Sequence, residues 1–219
     1  MGLQRKSFDA GLTALNERLL NMGTAVEEAL DKALQAFVDH NNDLAKEVID
    51  QDGAINDTED TIDELVIQLI AHQQPVAKDL RRIVTALKMN ANLERMGDLA
   101  CNIAKTSIRM KLEPELEVIQ QIQEIAAIVK TMIHDIIQAY INEDVDAAKA
   151  IALKDDTVDR LYKEFLNNLF AHIRQNPDEV ETLTQLAFLG RHFERLGDYV
   201  TNIAEYVVYM VDAKRSDLN

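Results

Sequence analysis

Glu94, Asp98 and Asn102 follow one another at intervals of four residues, and Glu194, Asp198 and Asn202 repeat the arrangement one hundred residues on. In a helix such spacing stacks the three side chains on one face. The surrounding residues agree as well: 94–104 reads Glu-Arg-Met-Gly-Asp-Leu-Ala-Cys-Asn-Ile-Ala and 194–204 reads Glu-Arg-Leu-Gly-Asp-Tyr-Val-Thr-Asn-Ile-Ala. A further acidic pair, Asp155 and Asp159, has counterparts 103 residues earlier in Asp52 and Asn56. Clustered carboxylates with nearby amides are hard oxygen donors suited to Mg, Mn, Ca or iron, with Zn as a substitute. Held close together without a cation, they can relieve their repulsion only by taking up protons.

Both copies of the motif break the apolar pattern in the same place. Leu80, Leu87, Glu94, Cys101 and Ile108 recur at intervals of seven beside Ile83, Asn90, Gly97 and Ala104, which sets Glu94 on the stripe expected to face the core. Ala187, Glu194, Thr201 and Val208 repeat this beside Gly190, Gly197 and Ala204. A carboxylate on such a stripe is costly unless it is paired, protonated or bound to a cation. Glycine inside a helix costs about 0.5–1 kcal/mol relative to alanine. Gly97 and Gly197 therefore imply the close approach of a helix or of a bound ion. Ordinary close helix packing, and a metal-free salt-bridge lattice using Arg95 and Arg195, are the bland alternatives.

The elements that must position these residues are helices. Apolar periodicity marks six segments, about 7–40, 43–72, 76–110, 114–142, 145–174 and 177–212, parted at His40-Asn41-Asn42, Gln73-Gln74-Pro75, Glu113-Pro114 and Asn176-Pro177. Gln35-Ala36-Phe37-Val38 and Asp43-Leu44-Ala45-Lys46 match Gln138-Ala139-Tyr140-Ile141 and Asp146-Ala147-Ala148-Lys149 at an offset of 103. The Glu-Arg-x-Gly-Asp motifs differ by 100, so three residues are lost between, most simply at the second helix-to-helix connection. The expected fold is all-α: two tandem, pseudo-symmetric three-helix bundles, residues 1–112 and 113–219. Segments of this length reach about 45 Å and present broad faces for docking. Adjacent antiparallel second and third helices would bring Asp155 and Asp159 opposite Glu194 and Asp198, and Asp52 with Asn56 opposite Glu94 and Asp98. The first set is weaker by the acid that Asn56 lacks.

Composition agrees and narrows the function. Only 7 Gly and 3 Pro occur in 219 residues, too few turn formers for a protein of many short strands. With 23 basic against 38 acidic residues the net charge is −15, which disfavours nucleic-acid backbones and anionic lipid as partners. No apolar run is long enough to span a bilayer. No charged-then-apolar leader opens the chain and Cys101 has no partner cysteine, so a cytoplasmic location is expected. None of the five histidines has Glu three residues before it, which removes the Glu-x-x-His element of di-iron bundles. No phosphate loop or nucleophile elbow is present, so no catalytic residue is assigned. Asp57, Glu59, Asp60, Asp63 and Glu64 read as a solvated charge run.

The doubled Glu-Arg-x-Gly-Asp-x-x-x-Asn-Ile-Ala, the opening Phe8-Asp9 with Leu12 and Leu15, and the six-helix repeat together resemble the PhoU family over nearly the whole chain. The resemblance implies two three-helix bundles, a homodimer, and a cytoplasmic, non-enzymatic regulator of phosphate uptake. Its implied role is an adaptor between the ATPase subunit of a phosphate ABC transporter and a sensor histidine kinase, restraining the starvation response when phosphate is plentiful. It also implies Glu- or Asp-x-x-x-Asp motifs that bind clusters of Fe, Mn, Mg or Zn. Carried onto this sequence, these fall at Glu94 and Asp98, Glu194 and Asp198, Asp155 and Asp159, and at Asp52, where Asn56 replaces the second acid. The competing readings are a metal-dependent phosphoester hydrolase and a metal-free helical scaffold.

Overall fold

The computed structural model describes residues 2–110 and 116–218, and the expected break at Glu113-Pro114 lies outside them. Helices α1 (Gly2–Val38), α2 (Asn42–Gln73) and α3 (Ala77–Arg109) form the first bundle. The second is built from α4 (Leu116–Asn142), α5 (Val145–Ala152), α6 (Asp155–Gln175) and α7 (Val180–Asp212), the last entered through a 3-10 turn at Pro177–Glu179. No β-strand occurs among the described residues. None of the described helices is long and apolar enough to cross a membrane.

The first connection of each bundle is built identically. His40 and Glu143 adopt left-handed backbone angles, φ 51° and 54°. The next amide in each case reaches back to close the preceding helix, Asn41 N–H to Ala36 O and Asp144 N–H to Ala139 O, both at 2.9 Å. The same two residues cap the following helix: the Asn41 side chain accepts from Asp43 and Leu44 amides, and that of Asp144 from the Ala147 amide. At the second connection α2 stops at Gln73 and α3 starts at Ala77, while Asn176 leads straight into Pro177. Gln74, Pro75 and Val76 thus have no counterpart, which accounts for the change of offset from 103 to 100.

The fifth segment, expected as one helix over 145–174, is two. It breaks at Leu153 and Lys154, both still near helical angles, and restarts at Asp155. Residues 50 and 51, their counterparts, lie inside the unbroken α2. Lys154 turns to pair with Asp135 of α4 at 3.0 Å. The break delivers Asp155 as the first residue of a new helix, turned toward α7.

Helices α3 and α7 pack against each other at the centre, and α1 meets α4 beside them. One apolar core therefore runs through both bundles, from Leu19, Met22 and Leu93 to Phe165, Phe193 and Ile203. A polar seam fixes their register. Glu143 receives Lys78 at 2.7 Å and the Arg82 guanidinium, Arg81 Nε donates to Met210 O at 3.2 Å, and Tyr140 Oη donates to Asn16 Oδ1 at 3.2 Å. Burial holds the Tyr140 hydroxyl far above its ordinary pKa, so it stays a donor.

Candidate metal centres

The second-bundle cluster is assembled from the start of α6 and the middle of α7. Asp155 is only 8 % exposed, and its Oδ1 is buried without a hydrogen-bond partner. It can sit there because position 197 is glycine: a Cβ at Gly197 would overlap Asp155 Oδ1. Burial first, then the charges of Asp159, Asp198 and Glu194, push the Asp155 carboxyl up to about 7, against the nearby Thr201 hydroxyl. The Thr201 hydroxyl stands close enough to that carboxyl to favour its ionised form, although its Oγ1 is buried without a hydrogen bond of full geometry.

Glu194 and Asp198 are half-buried and Asp159 is exposed. Glu194 is raised by burial and by Asp198, and Asp198 by burial and by Asp159. One Glu194 oxygen accepts from Arg191 Nη1 on the same helix, and the other, Oε2, is buried and unpartnered. The four acids of the sequence reading thus share one electrostatic environment.

The first-bundle cluster is assembled differently. Asp52 is half-buried with Oδ1 enclosed and unpartnered, and it is raised by burial and then by Asp98, against Lys105. Glu94 is raised by burial, by Asp98 and by Glu59. Asn56 is exposed on the same face of α2. Glu59, which sequence pattern alone places in a solvated run, is half-buried and raised by burial, Asp63, Asp60 and Asp98, against Arg95. It stands seven residues from Asp52 and three from Asn56, one turn further along their face, and that spacing is the signal by which it could have been found. The first cluster is therefore Asp52, Glu59, Glu94 and Asp98 around Asn56, and the acid missing at 56 is supplied one turn on. Asn90 fixes this turn, donating from Nδ2 to Glu59 O at 3.0 Å and to Asp63 Oδ1 at 2.8 Å.

Three expectations about the surroundings change. Glu94 is half-buried at the rim of the core, on a stripe that runs from the 37 %-exposed Leu80 to the buried Cys101, whereas Ile83, Gly97 and Ala104 occupy the centre. Among the described residues the cross-helix lattice through Arg95 and Arg195 does not form. Both arginines are exposed, and Arg195 donates to the Tyr199 hydroxyl at 2.9 Å. The two helical glycines do different work: Gly97 faces Ile55, whose Cδ1 would stand 3.0 Å from an added Cβ, while Gly197 faces a carboxylate.

These clusters fit hard cations by one measure and are not gathered around one by another. Enclosed, unpartnered oxygens on Asp52, Asp155 and Glu194, within groups of mutually repelling carboxylates, are what a cation would satisfy. Yet among the described residues no three His, Cys, Asp or Glu side chains are set to hold a metal ion. Ligation would require side-chain rotation, which the exposed Asp98 and Asp159 have room for. Asn102 and Asn202 are half-buried, and among the described residues neither side chain hydrogen-bonds a cluster carboxylate.

The doubled helical architecture has direct counterparts in known proteins. The PhoU domain family model matches residues 19–107 and again residues 122–207. The chain belongs to the PhoU family. It is 37 % identical over 218 residues to the phosphate-specific transport system accessory protein PhoU homolog of Clostridium acetobutylicum, covering 99 % of this chain and 100 % of that one. It is 31 % identical to the Escherichia coli K12 phosphate-specific transport system accessory protein PhoU, covering 93 % of this chain and 85 % of the relative. The crystal structure of PhoU from Pseudomonas aeruginosa superposes with a TM-score of 0.90 at 33 % identity, over 94 % of this chain and 100 % of that one. That of the phosphate transport system regulatory protein PhoU from Streptococcus pneumoniae gives 0.90 at 28 %, over 96 % and 99 %.

Proposed function

We propose that this protein regulates phosphate uptake as a cytoplasmic, non-enzymatic adaptor whose two acidic clusters bind metal ions. The observation that carries the regulatory reading is the end-to-end match to PhoU relatives named as accessory or regulatory proteins of phosphate transport systems. The acidic surface, net −15, supports docking to basic cytoplasmic segments of a phosphate ABC transporter, through its ATPase subunit, and of a sensor histidine kinase. Membrane association would then run through those partners. The two bundles, divided near residue 112, and a homodimer would offer each partner a broad lateral face.

Asp52, Glu59, Glu94 and Asp98 would hold the first metal site, with Asn56 as a neutral neighbour. Asp155, Asp159, Glu194 and Asp198 would hold the second. A bound cation supplies positive charge that screens the carboxylates and lets Asp155 ionise. The chain's own part is to enclose one oxygen each of Asp52, Asp155 and Glu194: Gly197 admits Asp155 to α7, and Asn90 anchors the turn that carries Glu59. A structural or signalling use of the metal is favoured over the phosphoesterase alternative because the end-to-end relatives are named as accessory or regulatory proteins.

The test is capture from detergent-solubilised membranes with wild type and with Asp198→Asn, in low and high salt. The expected result is recovery of a transporter subunit or sensor kinase by wild type, lost at high salt and reduced by the substitution. Recovery of neither in low salt would overturn the adaptor reading, and equal retention at both salt levels would overturn the electrostatic account of docking.

A further inference from the structure

Among the residues by which the two clusters differ, one has a specific consequence. Arg191 lies one turn before Glu194 on α7, and its Nη1 donates to Glu194 Oε1. Its side chain is 49 % exposed, while that of Glu194 is 12 % exposed, so a solvent-side guanidinium reaches inward to an otherwise enclosed carboxylate. Burial raises Asp198 and the Tyr162 hydroxyl on α6, and the Arg191 charge opposes that rise in both. The position equivalent to Arg191 in the first bundle is Ala91. Glu94 accordingly has no ion pair among the described residues, and only Arg95 and Lys105 act on that cluster from a distance.

We infer that Arg191 is the resident counter-cation of the second cluster, which a divalent ion must displace from Glu194, and that it thereby sets the metal affinity of that site. This rests on the metal reading above. Two observations point to a ligand at this place: Glu194 keeps a buried, unpartnered Oε2 beside the oxygen paired with Arg191, and Asp155, more than nine-tenths buried, directs an unpartnered Oδ1 against α7 at Gly197. Glu194 has one oxygen held by Arg191 and one unpartnered, so full use of its carboxylate by a divalent ion requires Arg191 to let go. Arg191 has the exposure to do so by rotating into solvent. A monocation on a flexible stem holds the ligands near one another without filling the site, and a divalent ion replaces it with higher charge and shorter contacts.

The experiment is calorimetric titration of Mn²⁺ alone into chelator-stripped full-length protein, with stoichiometry checked by elemental analysis. A Glu94→Gln, Asp98→Asn background isolates the second site. Arg191→Gln in that background should bind Mn²⁺ about tenfold more tightly at unchanged stoichiometry, since a charge-assisted hydrogen bond of about 1.4 kcal/mol no longer competes. Ala91→Arg, made in an Asp198→Asn, Glu194→Gln background, should weaken the first site by a similar factor. Unchanged or weaker binding by Arg191→Gln, with Mn²⁺ still taken up by the parent, would overturn the role of Arg191 alone. No Mn²⁺ uptake by any folded variant, as judged by circular dichroism, would overturn the metal reading and this inference with it.

Discussion

Replacing Asp155 by asparagine should stabilise the metal-stripped protein, and do so more strongly at high pH. The carboxyl stands at about 7 against an ordinary 3.8, because burial and then Asp159, Asp198 and Glu194 oppose its ionisation. Between these values the folded state keeps a proton that the unfolded chain releases. Stability contributed by this group is thus fully present below about pH 4 and is lost as pH rises to about 7, beyond which the penalty is constant. The displacement corresponds to at most about 4 kcal/mol. Relaxation of Asp159 and Asp198 toward solvent reduces the expected figure to about 2 kcal/mol at pH 8, comparable with other buried-charge effects. Asparagine has nearly the same shape, leaves Gly197 undisturbed and can donate to the neighbouring carboxylates. Urea unfolding of chelator-treated wild type and Asp155→Asn at pH 4 and pH 8 measures this directly. The variant should gain about 2 kcal/mol at pH 8 and about a quarter of that at pH 4. Equal gains at both pH values, or a loss at pH 8, would refute the assignment of a desolvated, repelled carboxylate. Saturating Mn²⁺ should reverse the order, stabilising wild type more than the variant.

Gly197→Ala should be less stable than Gly97→Ala by about 1 kcal/mol in thermal or urea unfolding, because the first forces Asp155 from its rotamer and the second only presses on Ile55. Adding Asp155→Ala to Gly197→Ala should recover that difference, and additivity in this cycle would count against the contact. Glu59→Gln should weaken metal binding in the first bundle as Glu94→Gln does, read by titration in an Asp198→Asn, Glu194→Gln background, whereas Asn56→Asp should strengthen it. A groove of about 230 Å³ beside Asp52 is lined by Ala25, Ala29 and Thr58, where the second bundle carries Ile128, Met132 and Leu161. Ala25→Ile with Ala29→Met should fill it and raise stability by about 1 kcal/mol without altering the helical signal.

The repeat made much of this architecture legible in advance. Connections built around His40 and Glu143 follow from local rules, an αL residue followed by a side-chain cap, and such rules act within a few residues of chain. The three-residue change of offset likewise pointed to the α2–α3 connection because identities on either side bracketed it. Pairing of Asp52, Glu94 and Asp98, and of Asp155, Asp159, Glu194 and Asp198, followed from placing antiparallel neighbours face to face. Glu59 was less legible because Asn56 interrupts the four-residue acidic spacing, while the helix face also admits a spacing of seven.

What the sequence determined by itself, then, is helical periodicity, the doubling, and which faces carry oxygen, all consequences of spacing along a helix of fixed pitch. Tertiary structure decided the rest. Whether Glu94 lay in the core or at its rim depended on how α3 is rotated between α1, α2 and α7, and rotation by a fraction of a turn costs nothing that local pattern records. Lys154 reaching Asp135 accompanies the break that delivers Asp155 to Gly197, an arrangement requiring α4, α6 and α7 together. The two clusters carry the same motif on their third helices, yet one encloses an aspartic acid pushed up to about 7 near a glutamate paired with an arginine, and the other is a more open set of carboxylates. Burial and the charges brought near from other helices, absent from any linear pattern, set that difference.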